Sequence, residues 1–244
     1  MRIYIEEDYV SMSKKAALIV ASQIILNPKS VLGLATGSTP TGMYQELIEM
    51  YKSKEVDFSE TTTFNLDEYY GLEREHKSSY YTYMMDVFFK YINVQKNQIH
   101  ILNGKAQNVV TECLAYEELI NSVGGIDLQI LGIGANGHIG FNEPSKKLNV
   151  TTHLVQLTEK TIQDNSRFFD RKEDVPREAI SVGIATIMKA KKIVLLASGR
   201  NKAEAIMEMT SGYVNTQVPA SILQTHSDVT LIIDKEAGVL IESV

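Results

Sequence analysis

Apolar positions along this chain gather into short continuous runs, and amphipathic stretches separate them. SVLGLA (30–35), TTTFNL (61–66), QIHIL (98–102), IDLQILGIG (126–134), THLVQL (152–157), KIVLLAS (192–198) and DVTLIID (228–234) read as strands. They are rich in Val, Ile, Leu and Thr and have polar or glycine neighbours at their ends. SKKAALIVASQIIL (13–26), TPTGMYQELIEMYKS (39–53), SYYTYMMDVFFKYI (79–92), VVTECLAYEELI (109–120) and NKAEAIMEMTSG (201–212) instead place apolar residues at helical spacing. Continuous apolar strands that alternate with helices imply a mostly parallel sheet covered on both faces. The expected fold is a doubly wound, Rossmann-like α/β domain. No repeated unit and no Pro/Ser-rich linker divides it, so a single domain is expected over residues 1–244.

That architecture says where to look for chemistry. In an open parallel sheet, ligands bind beyond the carboxyl ends of the strands, where helix N-termini present free N–H groups. Four of the runs lead into polar clusters there: TGSTPTG after SVLGLA, DEYYG after TTTFNL, ANGHIGFNEP after LQILGIG, and GRNKAE after KIVLLAS.

Bulk properties narrow the partners. Acidic residues exceed basic ones by 30 to 24, a net charge of −6, so the overall field disfavours nucleic acid and anionic membranes. A small anionic ligand needs only a local cluster of donors. The single cysteine, Cys113, excludes an internal disulfide and reads as a structural thiol on a helix. The start MRIYIEEDYV lacks the core and cleavage site of a signal peptide. No apolar run approaches the ~20 residues that span a bilayer. A cytoplasmic protein acting on a small molecule is expected; association with further copies of the chain is left open.

TGSTPTG (36–42) combines small residues with Pro40 at a helix start, where Ser38 or Thr39 could cap the first turn. Gly37 and Gly42 have Walker-type spacing, but Met43 and Tyr44 stand where Lys and Ser/Thr should follow, which argues against a nucleoside triphosphate. A metabolite phosphate and an ordinary capped turn both stay open. LQILGIGANGHIGFNEP (128–144) satisfies G-x-G-x-x-G at Gly132, Gly134 and Gly137, yet Gly140 and Pro144 follow where a helix should open. A dinucleotide site is disfavoured on that ground. A loop turned back at Gly140 could instead bring Glu143 onto one nitrogen of His138 and orient the ring for proton transfer. No HxxxH or CxxC spacing suggests a metal. Asp67 and Glu68, in NLDEYYG, end a strand on the same rim. Asp67 could serve as a carboxylate base, and adjacent acids of this kind are also ordinary surface or capping residues.

Taken together, LGLATGSTPTG, FNLDEYYGL, LGIGANGHIGFNEP, NSRFFD and SGRNKAEAI, in this order, resemble the glucosamine-6-phosphate deaminase family over nearly the full length. The related 6-phosphogluconolactonases share the phosphate and glycine-histidine loops but lack the FNEP that follows His138 here. The resemblance implies conversion of glucosamine 6-phosphate and water to fructose 6-phosphate and ammonia, with no cofactor and no metal. It assigns ring opening to His138 with Asn136 and Glu143, and transfer of the C2 proton to C1 to Asp67. It gives the phosphate to Thr36, Gly37, Ser38, Thr39, Arg167 and Lys202. The alternatives are a 6-phosphogluconolactonase and a non-catalytic phosphosugar-binding regulator domain, though no basic, DNA-binding segment precedes SVLGLA.

Two departures from the family are visible. Asn136 stands where many members carry an acid, so Glu143 is expected to supply the electrostatic part of the relay alone. His153 and Val155 stand where allosterically activated members carry basic residues, and the chain stops at AGVLIESV. Hyperbolic kinetics are therefore expected. The segment 152–180 is polar enough to be a mobile helical lid that swings Arg167 onto the phosphate; a fixed surface helix pair reads equally well.

Overall fold

The computed structural model describes residues 1–241; the last three residues of AGVLIESV, 242–244, lie outside the described residues. In chain order the strands and helices are β1 (Arg2–Glu6), α1 (Tyr9–Leu26), β2 (Val31–Leu34), α2 (Thr41–Lys52), β3 (Thr62–Asn65), β4 (Asp67–Tyr69), α3 (Tyr80–Val87), β5 (Ile99–His100), α4 (Val109–Ser122), β6 (Leu128–Gly132), β7 (His153–Gln156), α5 (Glu159–Asn165), β8 (Glu178–Ser181), α6 (Ile184–Met188), β9 (Lys192–Ala197), α7 (Ala203–Met209) and β10 (Val229–Asp234).

Seven strands form one sheet in the order β1-β10-β9-β6-β2-β3-β5, and every pairing in it is parallel. Alternating side chains of each inner strand feed the two faces. Leu32, Leu34, Leu128, Ile130, Val194 and Leu196 pack with residues of α1, α2 and α3. Val31, Leu131, Ile193, Leu195, Leu231 and Ile233 pack with residues of α4, α6 and α7. Burial on both faces is why these strands read as unbroken apolar runs. The chain builds outward from β2 through β3 to β5, then returns to β2's other side as β6. The switch point therefore lies between β2 and β6, and their carboxyl-end loops open the crevice in which such folds bind ligands.

One expectation needs correction, and two further elements fall outside the hydrophobic pattern as read. THLVQL does form β7, but β7 leaves the parallel sheet for a three-stranded antiparallel one, β4-β8-β7. Its side chains are only partly covered, and both β4 and β8 escape the hydrophobic pattern because they are three and four residues long. Second, RIYIE is a strand at the sheet's edge, where one neighbour suffices and Ile3 and Ile5 stay exposed. Third, α1 contains an apolar window of 18 residues with mean hydropathy 1.2, long and apolar enough by composition to cross a bilayer. Its Met12, Ala16, Val20 and Ile24 instead form a stripe fully buried against the sheet.

Helix limits shift slightly for local reasons. The segment 79–92 is α-helical only to Val87, where Phe88 departs to φ −144° and a 3-10 turn follows. NKAEAIMEMTSG starts as a 3-10 turn at Arg200–Lys202 and ends at Met209. Cys113 is buried on α4 as a free thiol.

Candidate active site

The loop after β2 is shaped by hydroxyl groups behind it. Tyr83 donates to the Gly37 carbonyl at 2.6 Å, Tyr9 to the Ser38 carbonyl at 3.1 Å, and Tyr44 to the Ala35 carbonyl at 2.6 Å. The N–H groups of Gly37, Ser38 and Thr39 find no acceptor among the described residues. Free amides of this kind suit an anion. The expected side-chain cap is not formed: Pro40 occupies the N-cap position of α2, and neither Ser38 nor Thr39 bonds the first turn. The Tyr9 hydroxyl takes the Gly42 N–H instead, at 2.7 Å. Met43 and Tyr44, in the places of a Walker lysine and hydroxyl, are fully buried core residues.

The loop after β6 opens no helix. The Gly134 N–H bonds the His138 carbonyl at 2.9 Å, and Ile139 bridges to Asn142, folding the chain back on itself at Gly140, whose φ is +56°. The His138 ring lies directly on Gly134. A Cβ at that position would stand 2.4 Å from the ring's Cε1 and Nδ1, so only glycine admits the ring there. Gly134→Ala is expected to keep the fold and to lower turnover roughly 100-fold, the cost of displacing a reacting group by about an ångström. Near-wild-type rates in a properly folded variant would mean the ring's seat does not matter.

Behind His138 sits Glu143, itself buried. Its Oε2 accepts from the Asn136 amide at 2.8 Å, and its Oε1 accepts from the Thr161 hydroxyl in a short contact. His138 Nδ1 lies 3.5 Å from Oε1, so the two form an ion pair whenever the ring carries a second proton. Burial pushes the Glu143 carboxyl up, but His138, Thr161 and Asn136 together hold it below the usual range. Asn136 does two jobs: its amide fixes Glu143, and its Oδ1 accepts the backbone N–H of His138 at 3.3 Å.

Across the crevice, Asp67 opens β4 and is buried. Its carboxyl is pushed up to about 7, by burial first and then by the neighbouring Glu68 charge; a Thr36 hydroxyl at 3.5 Å works weakly the other way. Glu68 turns away and accepts three backbone N–H groups, from Tyr69, Tyr80 and Tyr81, at 2.8, 2.9 and 3.0 Å. Adjacent acids thus have different roles: Glu68 caps the start of α3, and Asp67 faces the crevice.

One cavity of about 690 Å³ joins these parts. Thr36, Gly37, Ser38, Thr39, Asp67, His138, Arg167 and Lys202 all line it, while Asn136 and Glu143 stand behind His138. No group of three or more His, Cys, Asp or Glu side chains among the described residues stands close enough to hold a metal ion. Sequence reasoning missed Lys160, which lines the same cavity from α5. Burial lowers the Lys202 ammonium; Asp164 opposes that, and the nearby charges of Arg167 and Lys160 lower it further. Three cations crowded together cost energy that a dianionic group would offset.

The segment 152–180 has both ends in the antiparallel sheet and lays α5 over the cavity. Asn165 donates to the Tyr69 hydroxyl at 2.9 Å, and Ser78 donates to the Phe168 carbonyl at 3.0 Å. Tyr69, Tyr80, Phe141 and Phe169 pack beneath it as an aromatic wall.

Residues 10–232 match the family model described as glucosamine-6-phosphate isomerases/6-phosphogluconolactonase. The chain belongs to this family. A curated relative from Alkaliphilus metalliredigens, named glucosamine-6-phosphate deaminase, is 72% identical over 99% of this chain and 100% of its own length. Another of the same name, from Halothermothrix orenii, is 69% identical with the same coverage. A solved structure described as a monomeric glucosamine-6-phosphate deaminase superposes with a TM-score of 0.96 at 45% identity, covering 98% of this chain and 100% of that one. A 6-phosphogluconolactonase from Thermotoga maritima gives a TM-score of 0.76 at 19% identity, covering 96% and 99%, and shares the fold. In this chain the FNEP that follows His138 supplies Glu143, the carboxylate behind the ring.

Proposed function

We propose that this chain is a glucosamine-6-phosphate deaminase, converting glucosamine 6-phosphate and water to fructose 6-phosphate and ammonia. The observation that carries the reading is the shared cavity: a buried carboxylate held near neutrality, an oriented imidazole and a three-cation anion site face one space. The amides and hydroxyls of Thr36, Gly37, Ser38 and Thr39, with Arg167 and Lys202, hold the phosphate, and Lys160 joins them. Arg167 offers a planar fork to two oxygens, and Lys202 a point charge.

His138 helps open the pyranose ring by moving the proton between the anomeric hydroxyl and the ring oxygen, with Asn136 and Glu143 orienting it. Ring opening exposes an aldehyde, which acidifies C2. Asp67 then removes the C2 proton and returns it at C1, and an acid held near neutrality can do both. The resulting C2 imine adds water and releases ammonia. The chain works as one unit, with 152–180 as a lid over the cavity. A phosphorylated sugar is too polar to cross a bilayer unaided, so the reaction belongs in the cytoplasm.

A coupled assay tests the reading. Purified protein should release ammonia and fructose 6-phosphate in equal amounts from glucosamine 6-phosphate, and should leave the spontaneous hydrolysis of 6-phosphogluconolactone unaccelerated. The reverse pattern identifies a lactonase, and binding of the sugar phosphate without either reaction identifies a regulator domain.

A further inference from the structure

A planar trans peptide unit points its C=O and its N–H in opposite directions, so whatever holds one also aims the other. The unit between Ser38 and Thr39 contains the Ser38 carbonyl and the Thr39 N–H. Tyr9, at the start of α1, donates to that carbonyl at 3.1 Å, and its hydroxyl oxygen accepts the Gly42 N–H at 2.7 Å. One hydroxyl thus ties the loop to the first turn of α2, in place of the side-chain cap that this helix lacks. The Gly37–Ser38 unit is held likewise. Tyr83 of α3 donates to the Gly37 carbonyl at 2.6 Å, and the Thr41 hydroxyl backs it at 3.2 Å. Gly37 has φ +92°, and peptide units beside a glycine rotate more freely than others. With both carbonyls drawn back, the N–H groups of Ser38 and Thr39 point away from the tyrosines and find no acceptor among the described residues. Ser38 and Thr39 line the cavity, and Tyr9 stands outside it.

We propose that Tyr9 is a positioning residue for the phosphate grip, fixing the Ser38–Thr39 unit from behind so that the Thr39 amide, and not the Ser38 carbonyl, meets the anion. The assignment rests on the reading that this loop holds the phosphate of the substrate. Turning the unit over would exchange a donor for an acceptor and set a carbonyl oxygen against a dianion. The Tyr9 hydroxyl opposes that turn, because its bond to Ser38 would break and leave its hydrogen unpaired behind the loop. Since Tyr9 does not line the cavity, it reaches the ligand only through the loop. Its effect falls on binding, and the proton transfers at Asp67 and His138 are untouched.

Tyr9→Phe keeps the ring on α1 and removes the hydroxyl. The calorimetric Kd for fructose 6-phosphate should rise about fivefold, the size of one neutral hydrogen bond, and that for inorganic phosphate by the same factor. The kcat should stay within about twofold of wild type. Adding Tyr83→Phe should raise the loss of affinity to about tenfold or more. Tyr70→Phe is the control: it removes a similar bond outside the cavity, from the Tyr70 hydroxyl to the Ala106 carbonyl at 3.2 Å, and should leave affinities and kcat unchanged. Unchanged phosphate affinity in Tyr9→Phe, a loss confined to kcat, or an equal loss in Tyr70→Phe overturns the proposal. A wild type that releases no ammonia yet binds both anions sinks the deaminase reading, while the affinities of the variants still decide the role of Tyr9. If the wild type binds neither anion, the loop is no phosphate site and the proposal falls with it.

Discussion

Asp67→Asn is expected to abolish deamination while leaving a well-folded, more stable protein. Amide and carboxylate are close in shape, so the packing of β4 survives, but the amide cannot take the C2 proton. General-base catalysis contributes roughly 100- to 10,000-fold, so kcat should fall by about that factor with KM little changed. Stability should move the other way. In the folded chain the Asp67 carboxyl is raised to about 7 from 3.8 by burial and by Glu68. The folded state therefore holds this proton more tightly than the unfolded one. Stability is fully present below the unfolded value and is lost as pH rises toward 7, leaving ionised Asp67 a liability of roughly 2–4 kcal/mol above that point. The Asn variant escapes it, so its melting temperature at pH 8 should exceed the wild type's, with the gap narrowing toward pH 5. Wild-type activity should decline as pH falls through about 7, as the base takes up a proton. Steady-state ammonia release across pH and thermal melts check both halves. Unimpaired turnover in Asp67→Asn would remove the base from the mechanism.

His138→Gln should lower kcat by roughly 100- to 10,000-fold as well, because the ring-opening proton transfer loses its carrier. Glutamine keeps hydrogen-bonding capacity at the same loop but cannot exchange a proton near neutral pH. The loss should fall on kcat alone. The residues proposed for the phosphate, from Thr36–Thr39 to Arg167 and Lys202, stand on other elements and touch neither His138 nor Glu143 through any hydrogen bond. Calorimetric affinity for fructose 6-phosphate should therefore stay within about threefold of wild type. A variant that loses binding and turnover together would place His138 in the grip on the sugar instead.

How much of this was readable beforehand follows from how local each signal is. The inner strands are buried on both faces, so their apolar runs announce themselves, and a glycine-rich loop after such a run marks a strand's carboxyl end. Asp67, His138 and the Thr36–Thr39 loop could be picked out because each lies directly after one of those runs. The edge strand β1 was missed because a strand with one neighbour does not need a continuous apolar face. β4 and β8 were missed because a few residues carry too little periodicity. Lys160 was missed because a lysine on a polar helix looks like any solvated cation until the helix is laid over a cavity.

The amino-acid sequence by itself determined the layered parallel sheet and the rim on which Asp67, His138 and the Thr36–Thr39 loop gather, since hydrophobic periodicity and turn residues act over a few positions. Only the tertiary structure decided that Glu68 caps a helix while Asp67 faces the crevice, that β7 leaves the main sheet, and that Asn136 and Thr161 both bond Glu143 behind His138. Those outcomes depend on contacts between segments far apart in the chain. Burial, charge and hydrogen-bond competition at such contacts are set by the whole packed molecule, and no local pattern encodes them.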